Sequence, residues 1–201
     1  MNTVTADVLA IAYKNALSKK NNHINAFSVI LLILKYLFIS RGYREVILFR
    51  IGHACRNILP LKVILFILQN WFSSVEIPFS IEIGPGFALP HPYDIVFTYT
   101  SKLGARVSVY QGVTIGNNFG KNIKGRVGAI IGDDVTLSAG VKIIGPITIG
   151  DKVIIGANSV VTSDIPSNSI VAGIPARVIG SYTESILPSL KALADSMSMS
   201  E

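Results

Sequence analysis

Cysteine is almost missing from this 201-residue chain, which has only Cys55. No internal disulfide can form, so the fold must rest on its core, and a reducing compartment is permitted. Histidine is scarce as well, at three residues, and only His91 falls after residue 75. A three-histidine metal centre therefore lacks its full set of ligands there. Acidic residues are outnumbered, 12 against 18 basic, for a net charge of +6. The bases cluster at Lys19, Lys20, Lys35, Arg41, Arg44, Arg50, Arg56 and Lys62, and again at Lys121, Lys124 and Arg126. Aromatic residues do not interleave with them as a base-stacking platform requires, which argues against nucleic acid. Phosphate-bearing small molecules, anionic lipid or acidic glycans suit the charge better. Long apolar runs are also lacking. The longest, residues 26–39, is interrupted by Lys35 and falls short of the roughly 20 residues of a membrane span. Residues 1–7 have neither the basic start nor the apolar core of a secretory leader. These absences predict a cytoplasmic protein, with contact at the inner face of the membrane left open.

What is present divides into two grammars. Residues 1–74 read as an α-helical region. Val8, Leu9, Ile11, Ala12 and Leu17 have helical spacing, and residues 30–38, 45–55 and 61–71 continue it, with a break at Pro60. Arg44, Glu45 and Arg50 interrupt an apolar face, the pattern of a helix packed on one side. That face would serve subunit packing or, with its basic residues, a peripheral membrane contact. Cys55 reads as a small apolar filler, and His53 as a histidine satisfied by a packing hydrogen bond.

From residue 75 to 180 the period becomes six. Aliphatic leads stand at Ile83, Leu89 and Ile95, then at Leu103, Val109 and Ile115 after a two-residue shift, then at Ile131, Leu137, Ile143, Ile149, Ile155 and Val161. Such a period predicts a β-solenoid in which three six-residue faces close one triangular coil. Each lead points inward and stacks on its counterpart one coil away, while Gly, Asn and Asp serve the corners. Twelve leads make about four coils, enough for a continuous core. Between Ile115 and Ile131 the period fails. The sixteen positions there are four more than two hexapeptides, which predicts a Gly-rich, basic excursion loop at about 116–130. Residues 181–201 read as a tail with room for a short helix.

These residues resemble a known family. The array is that of the hexapeptide-repeat acyltransferases, and residues 49–180 are similar to serine acetyltransferases and to the related O-acetyltransferases of surface polysaccharides, the colanic acid type among them. Phe49-Arg50-Ile51-Gly52-His53 resembles the group's Tyr-Arg-Ile-Gly-His helix motif. Gln111-Gly112-Val113-Thr114-Ile115-Gly116 resembles its Gln-Ser-Val-Thr-Leu-Gly segment. Gly156-Ala157-Asn158-Ser159-Val160-Val161 and Ala172-Gly173-Ile174-Pro175-Ala176-Arg177-Val178 resemble its closing coil and exit strand. The resemblance implies a mainly β fold, a left-handed parallel β-helix with an N-terminal helical region, assembled as a trimer or a dimer of trimers and using acetyl-CoA as co-substrate without a metal.

It also implies roles. The family's Leu-Asp-His matches Leu89-Pro90-His91, which makes His91 the general base, and the family's acidic partner fifteen residues earlier matches Glu76. Gly116, Ala139 and Ala157 match positions that contact the cofactor. Lys142, Lys152 and Arg177 are candidates for its phosphates. Arg126 of the loop and Tyr93 beside His91 are candidate acceptor contacts. The chemistry suits these types, because a hydroxyl attacking a thioester must lose its proton and a neutral imidazole oriented by a carboxylate can take it. Two departures bear on the acceptor. Pro90 replaces the Asp of a serine-contacting position, and the loop reads Gly125-Arg126-Val127-Gly128 where serine acetyltransferases have Asp-Arg-His-Pro. The sequence therefore leads to the expectation of acetyl transfer to a sugar hydroxyl of a surface polysaccharide or its precursor. Serine O-acetyl transfer and a non-catalytic scaffold are the alternatives.

Overall fold

The structure, a computed structural model, describes residues 40–118, 120, 122–123 and 125–183. The helical spacing over residues 8–17 and 30–38 and the tail beyond residue 183 lie outside them. Two helices open the described chain, α1 (Arg41–Ala54) and α2 (Leu59–Phe72). Ser40 caps α1, its hydroxyl accepting from Tyr43 N–H at 3.3 Å. Pro60 lies in the first turn of α2, where its missing N–H is harmless. The break in helical pattern therefore falls just before Pro60.

The remainder is the left-handed parallel β-helix. Its first face carries β1 (Val75–Glu76), β3 (Ile95–Phe97), β6 (Thr114–Gly116), β9 (Lys142–Ile144) and β12 (Val160–Val161). The second carries β2 (Glu82–Ile83), β4 (Lys102–Leu103), β7 (Ile130–Ile131) and β10 (Thr148–Ile149). The third carries β5 (Ser108–Val109), β8 (Thr136–Leu137), β11 (Ile154–Ile155), β13 (Ser169–Gly173) and the antiparallel exit strand β14 (Ala176–Ser181). All twelve period-six leads are buried, Ile83 the most open at 8%. Strands this short survive because each interior strand pairs above and below and each inward aliphatic stacks on a neighbouring coil.

The register resolves the excursion differently from the sequence count. Thr114 pairs with Lys142, whereas Lys142 pairs with Val160. Ile115 and Ile131 thus lie on adjacent faces, one step of six apart, and the insertion is ten residues rather than four. A period of six cannot distinguish the two, because it carries no label for the face.

Corners turn through left-handed backbone. Asp94, Gly112, Gly140 and Asn158 hold this conformation along one edge. Arg106, Asp134, Lys152 and Asn168 hold it along another. The arginine and lysine there depart from the expected corner chemistry, and each is tied into a stack of ladder bonds instead. Arg106 donates to both Asp134 carboxylate oxygens at 2.6 Å.

Helix α1 is fixed to the first coils by Arg50, which was read as interrupting an apolar face. It is 8% exposed and donates to Ile83 O at 2.7 Å and Gly84 O at 2.6 Å. A guanidinium satisfied this way can be buried where a lone charge could not. His53 donates through Nδ1 to Phe79 O at 2.8 Å, a packing bond of the kind expected. Gly42 and Gly52 permit close approach, since a Cβ at either would fall on the Leu89 carbonyl or the Phe79 ring. Helix α2 instead leaves Leu59, Phe66 and Trp71 exposed, Trp71 at 81%. Among the described residues no helix is long and apolar enough to cross a membrane.

Candidate active site

The edge where the third face turns into the first carries His91. Backbone bonds climb this edge. Gly112 N–H donates to Tyr93 O at 2.9 Å, Gly140 N–H to Gln111 O at 2.8 Å and Asn158 N–H to Ala139 O at 2.8 Å. Tyr93, Gln111, Ala139 and Ala157 therefore occupy one corner position in four successive coils, a rise of about 14 Å at the spacing of neighbouring strands. Side chains shrink to methyl groups in the upper two. Above them Gly156 N–H donates to Val171 O at 2.7 Å, and Ala172 of β13 pairs with Arg177 of β14. The seam thus runs from His91 and Tyr93 at one end, past Ala139 and Ala157, to Arg177 at the other. Lys142 flanks it, its Nζ donating to Gly112 O at 2.6 Å and Thr114 Oγ1 at 2.9 Å. Those bonds hold the ammonium against the first face.

His91 is exposed, and its ring tilts against Tyr110 with 6.1 Å between centroids. Its carbonyl accepts Tyr93 N–H at 2.9 Å, which tightens the turn that presents the ring. Tyr110 was not singled out in the sequence, although it stands one coil above Pro92 and the eighteen-residue coil could have found it. Glu76 is exposed at the start of the first face and pairs with Val96, five residues beyond His91. The first coil is longer than eighteen residues, so the fifteen-residue spacing does not set the two on facing rungs. Ser74 Oγ donates to Pro92 O at 3.2 Å, which ties the start of Glu76's strand to the His91 turn. Among the described residues no hydrogen bond or ion pair joins Glu76 to the His91 ring.

The first turn of α1 closes the lower end. Gly42 abuts the Leu89 carbonyl, and the Arg41 guanidinium lies over the Tyr93 ring, 4.6 Å from its centroid. One turn along, Glu45 accepts from Ser73 Oγ at 2.8 Å. Burial raises the Glu45 pKa above the ordinary carboxylate value, against the opposing pull of the Ser73 bond and of Arg41 and Arg44.

The other candidates fall elsewhere. Gly116 ends β6 at the edge between first and second faces, with Ile144 Cδ1 3.4 Å from where its Cβ would be. Arg126 is on that same edge, bound through its guanidinium to Thr148 Oγ1 at 3.0 Å and Pro146 O at 2.9 Å. It lines a cavity of about 370 Å³ with Ser80, Glu82, Tyr99 and Lys102. Lys152 sits on the third edge, beside Asp134. One chain therefore assembles His91, Tyr93, Ala139, Ala157, Lys142 and Arg177 on a single seam, and does not bring Gly116, Arg126 or Lys152 to it.

Comparison with known proteins bears on the family and the fold. The profile of the bacterial transferase hexapeptide family, described as six repeats, matches residues 128–163. A serine acetyltransferase of Bacillus pumilus (strain SAFR-032) is 38% identical over 152 residues, covering 70% of this chain and 69% of the relative. The chain belongs to the serine acetyltransferase family. Among solved structures, the serine acetyltransferase of Neisseria gonorrhoeae superposes with a TM-score of 0.72 at 29% identity, covering 90% of this chain and 67% of that one. That of Brucella abortus strain S19, solved in complex with coenzyme A, gives 0.71 at 26% identity, covering 90% and 68%. Members of the serine acetyltransferase family are acetyl-CoA-dependent acyltransferases. Among the described residues no cluster of His, Cys, Asp or Glu is arranged to hold a metal.

Proposed function

We propose that this member of the serine acetyltransferase family transfers the acetyl group of acetyl-CoA to an acceptor hydroxyl, with His91 as general base. The observation that carries this reading is the seam, an exposed imidazole at one end of a straight track that narrows to methyl groups and ends at a cation. The extended arm of the co-substrate runs along Ala139 and Ala157, where small side chains allow backbone contact. Its phosphates lie toward Arg177 and its thioester beside His91. The acceptor oxygen attacks the thioester carbonyl carbon as His91 takes its proton. The tetrahedral adduct then collapses with cleavage of the C–S bond, and the imidazolium returns the proton to the departing thiolate. An O-acetyl ester and free CoA result. Glu76, exposed on the strand that Ser74 ties to the same turn, keeps the part of acidic partner that the family resemblance implies.

Gly116 and Arg126 belong to a different edge of the prism, so they join the seam only if a second copy supplies them. A trimer, or a pair of trimers, meets that need. The reaction is assigned to the cytoplasm, and the exposed face of α2 to contact between subunits.

For the acceptor, the comparisons favour serine over the sugar hydroxyl that the sequence placed first, since the curated relatives are serine acetyltransferases. A sugar hydroxyl keeps a place as the second reading on two observations. Pro90 cannot offer a carboxylate beside His91, and Arg126 has no histidine next to it in the loop. Thiol release from acetyl-CoA, measured with serine and with oligosaccharide acceptors, separates the two. With whichever acceptor is used, His91→Ala lowers kcat by about 10² to 10⁴. Unchanged turnover in a folded variant removes His91 from the chemistry.

A further inference from the structure

We propose that Tyr110 is a positioning residue for the base, its ring restraining the exposed imidazole of His91 in the orientation that acetyl transfer requires. The inference rests on the reading of His91 as the base, and it extends that reading to what holds the base in place. Neighbouring groups fix the main chain at His91 but not the ring. Pro90 and Pro92 flank it. Their own φ is locked, and a residue before proline is confined to extended backbone. Tyr93 N–H donates to His91 O at 2.9 Å and closes the turn. Gly42 lies against the carbonyl of Leu89, two residues earlier. The imidazole has no such ties. Among the described residues neither of its nitrogens makes a hydrogen bond or an ion pair.

What the ring does touch is Tyr110, with 6.1 Å between centroids and a tilt of 49°. That separation falls within the roughly 4.5–7 Å range of interacting aromatic rings. Tyr110 is a fixed support. It is half-buried directly after β5, follows the fully buried Val109, and donates its N–H to Leu137 O at 3.0 Å on the next coil. Two residues on, Gly112 N–H donates to Tyr93 O at 2.9 Å, so the rungs that carry the two rings are joined by a backbone bond. Tyr93 is nearer to His91 in sequence, but its own ring is covered by the Arg41 guanidinium. His53 supplies a contrast. Its ring also meets an aromatic neighbour, Phe49 at 5.8 Å, yet its Nδ1 is bound to Phe79 O. A histidine held by a hydrogen bond has that nitrogen occupied, whereas one held by a ring contact keeps both nitrogens open for proton transfer. Without the support, the imidazole would sample about three χ1 wells and about two χ2 orientations, which dilutes one productive orientation by up to about sixfold.

The experiment measures steady-state acetyl transfer by the full chain, from acetyl-CoA to serine or to an oligosaccharide, whichever the wild type acetylates. Tyr110→Leu keeps the bulk and removes the ring. It lowers kcat by about 3- to 10-fold, while both KM values change by less than about twofold, because the orientation of the base is not felt in binding. Tyr110→Phe regains most of the loss, since the ring and not the hydroxyl is the support. In a His91→Ala background Tyr110→Leu lowers turnover no further, because the ring it acts through is gone. Additive losses in that double variant, a loss expressed in KM, an equal loss in Tyr110→Phe, or full kcat in a folded Tyr110→Leu each overturn the proposal. Full turnover in His91→Ala overturns the base reading and this one with it, whereas a slow His91→Ala beside a full-rate Tyr110→Leu overturns this one alone. A second measurement needs neither turnover nor a folded Leu variant. The ring current of Tyr110 displaces the carbon-bound ring protons of His91 in the proton NMR spectrum, and the His91→Ala spectrum identifies those signals. Displaced signals in the wild type support the contact, and signals at the positions of free histidine overturn it.

Discussion

The β-helix and the helices that precede it solve the problem of burial in opposite ways. In the β-helix every inward position is defined by its own chain one coil above or below, and Ile143, Ile155 and Val161 are closed off completely. Among the described residues of the helical region, packing is completed only in part. Helix α1 is seated by two glycines and a buried arginine, whereas α2 presents Leu59, Phe66 and Trp71 to its surroundings. A repeat that stacks on itself needs no outside surface, but a pair of short helices does. The site lies where the two regimes meet, with the His91 turn from the first and Arg41 from the second.

The largest effect that would break this contrast is a cavity in the prism. Ile143→Ala should destabilise by about 2–5 kcal/mol, because neighbouring coils cannot collapse into the space. Trp71→Ala at an exposed position of α2 should change the stability of a dilute chain by less than about 0.5 kcal/mol. Chemical denaturation of both variants checks the pair, and equal losses would show α2 to be as fully enclosed as the coils. Arg50→Met comes next. It removes the donors to Ile83 O and Gly84 O and should cost about 1.5–3 kcal/mol, the scale for hydrogen bonds made by a charged group. Hydrogen exchange should quicken in α1 while the upper coils keep their protection. Uniform loss of protection would mean that helix and prism unfold as one unit.

The same division governs what could be read before the structure. The period of six locates all twelve stacked aliphatics, because solenoid contacts recur at fixed spacing and leave a periodic trace. It misjudges the excursion, since spacing alone does not tell one face from the next. It also misses Val75, Ile77 and Phe79, which are buried ahead of the first regular lead. Within the site, Ala139 and Ala157 were legible as eighteen-residue partners. Arg41 was not, because its contact with Tyr93 spans 52 positions and depends on how a helix docks. Glu76 was legible only through the family spacing, and among the described residues no hydrogen bond or ion pair joins it to the His91 ring.

Smaller effects come from charge. At Glu45 burial opposes ionisation, so the folded chain holds a proton to higher pH than the unfolded chain does. Stability from this group therefore falls as pH rises from the ordinary carboxylate value through the raised one. Glu45→Gln should gain on the wild type in Tm at pH 7 and lose that advantage near pH 4, as read by calorimetry at both pH values.

Asp134 is the opposite case and the weakest. The hydrogen bonds from Arg106 hold its pKa below the ordinary value, with burial opposing and the charges of Arg106 and Lys152 assisting. Its contribution is present above the ordinary carboxylate pKa and is lost as pH falls through the lowered one. Both side chains are substantially solvated, at 56% and 33% exposure, so screening limits the pair to less than about 1 kcal/mol. Asp134→Asn should therefore lower stability slightly at pH 7 and progressively less as pH falls below the ordinary carboxylate value, and 0.5 M salt should shrink the difference. A loss at pH 7 as large as that of Ile143→Ala would mean that this edge is held by its charges rather than by the stacked aliphatics behind it.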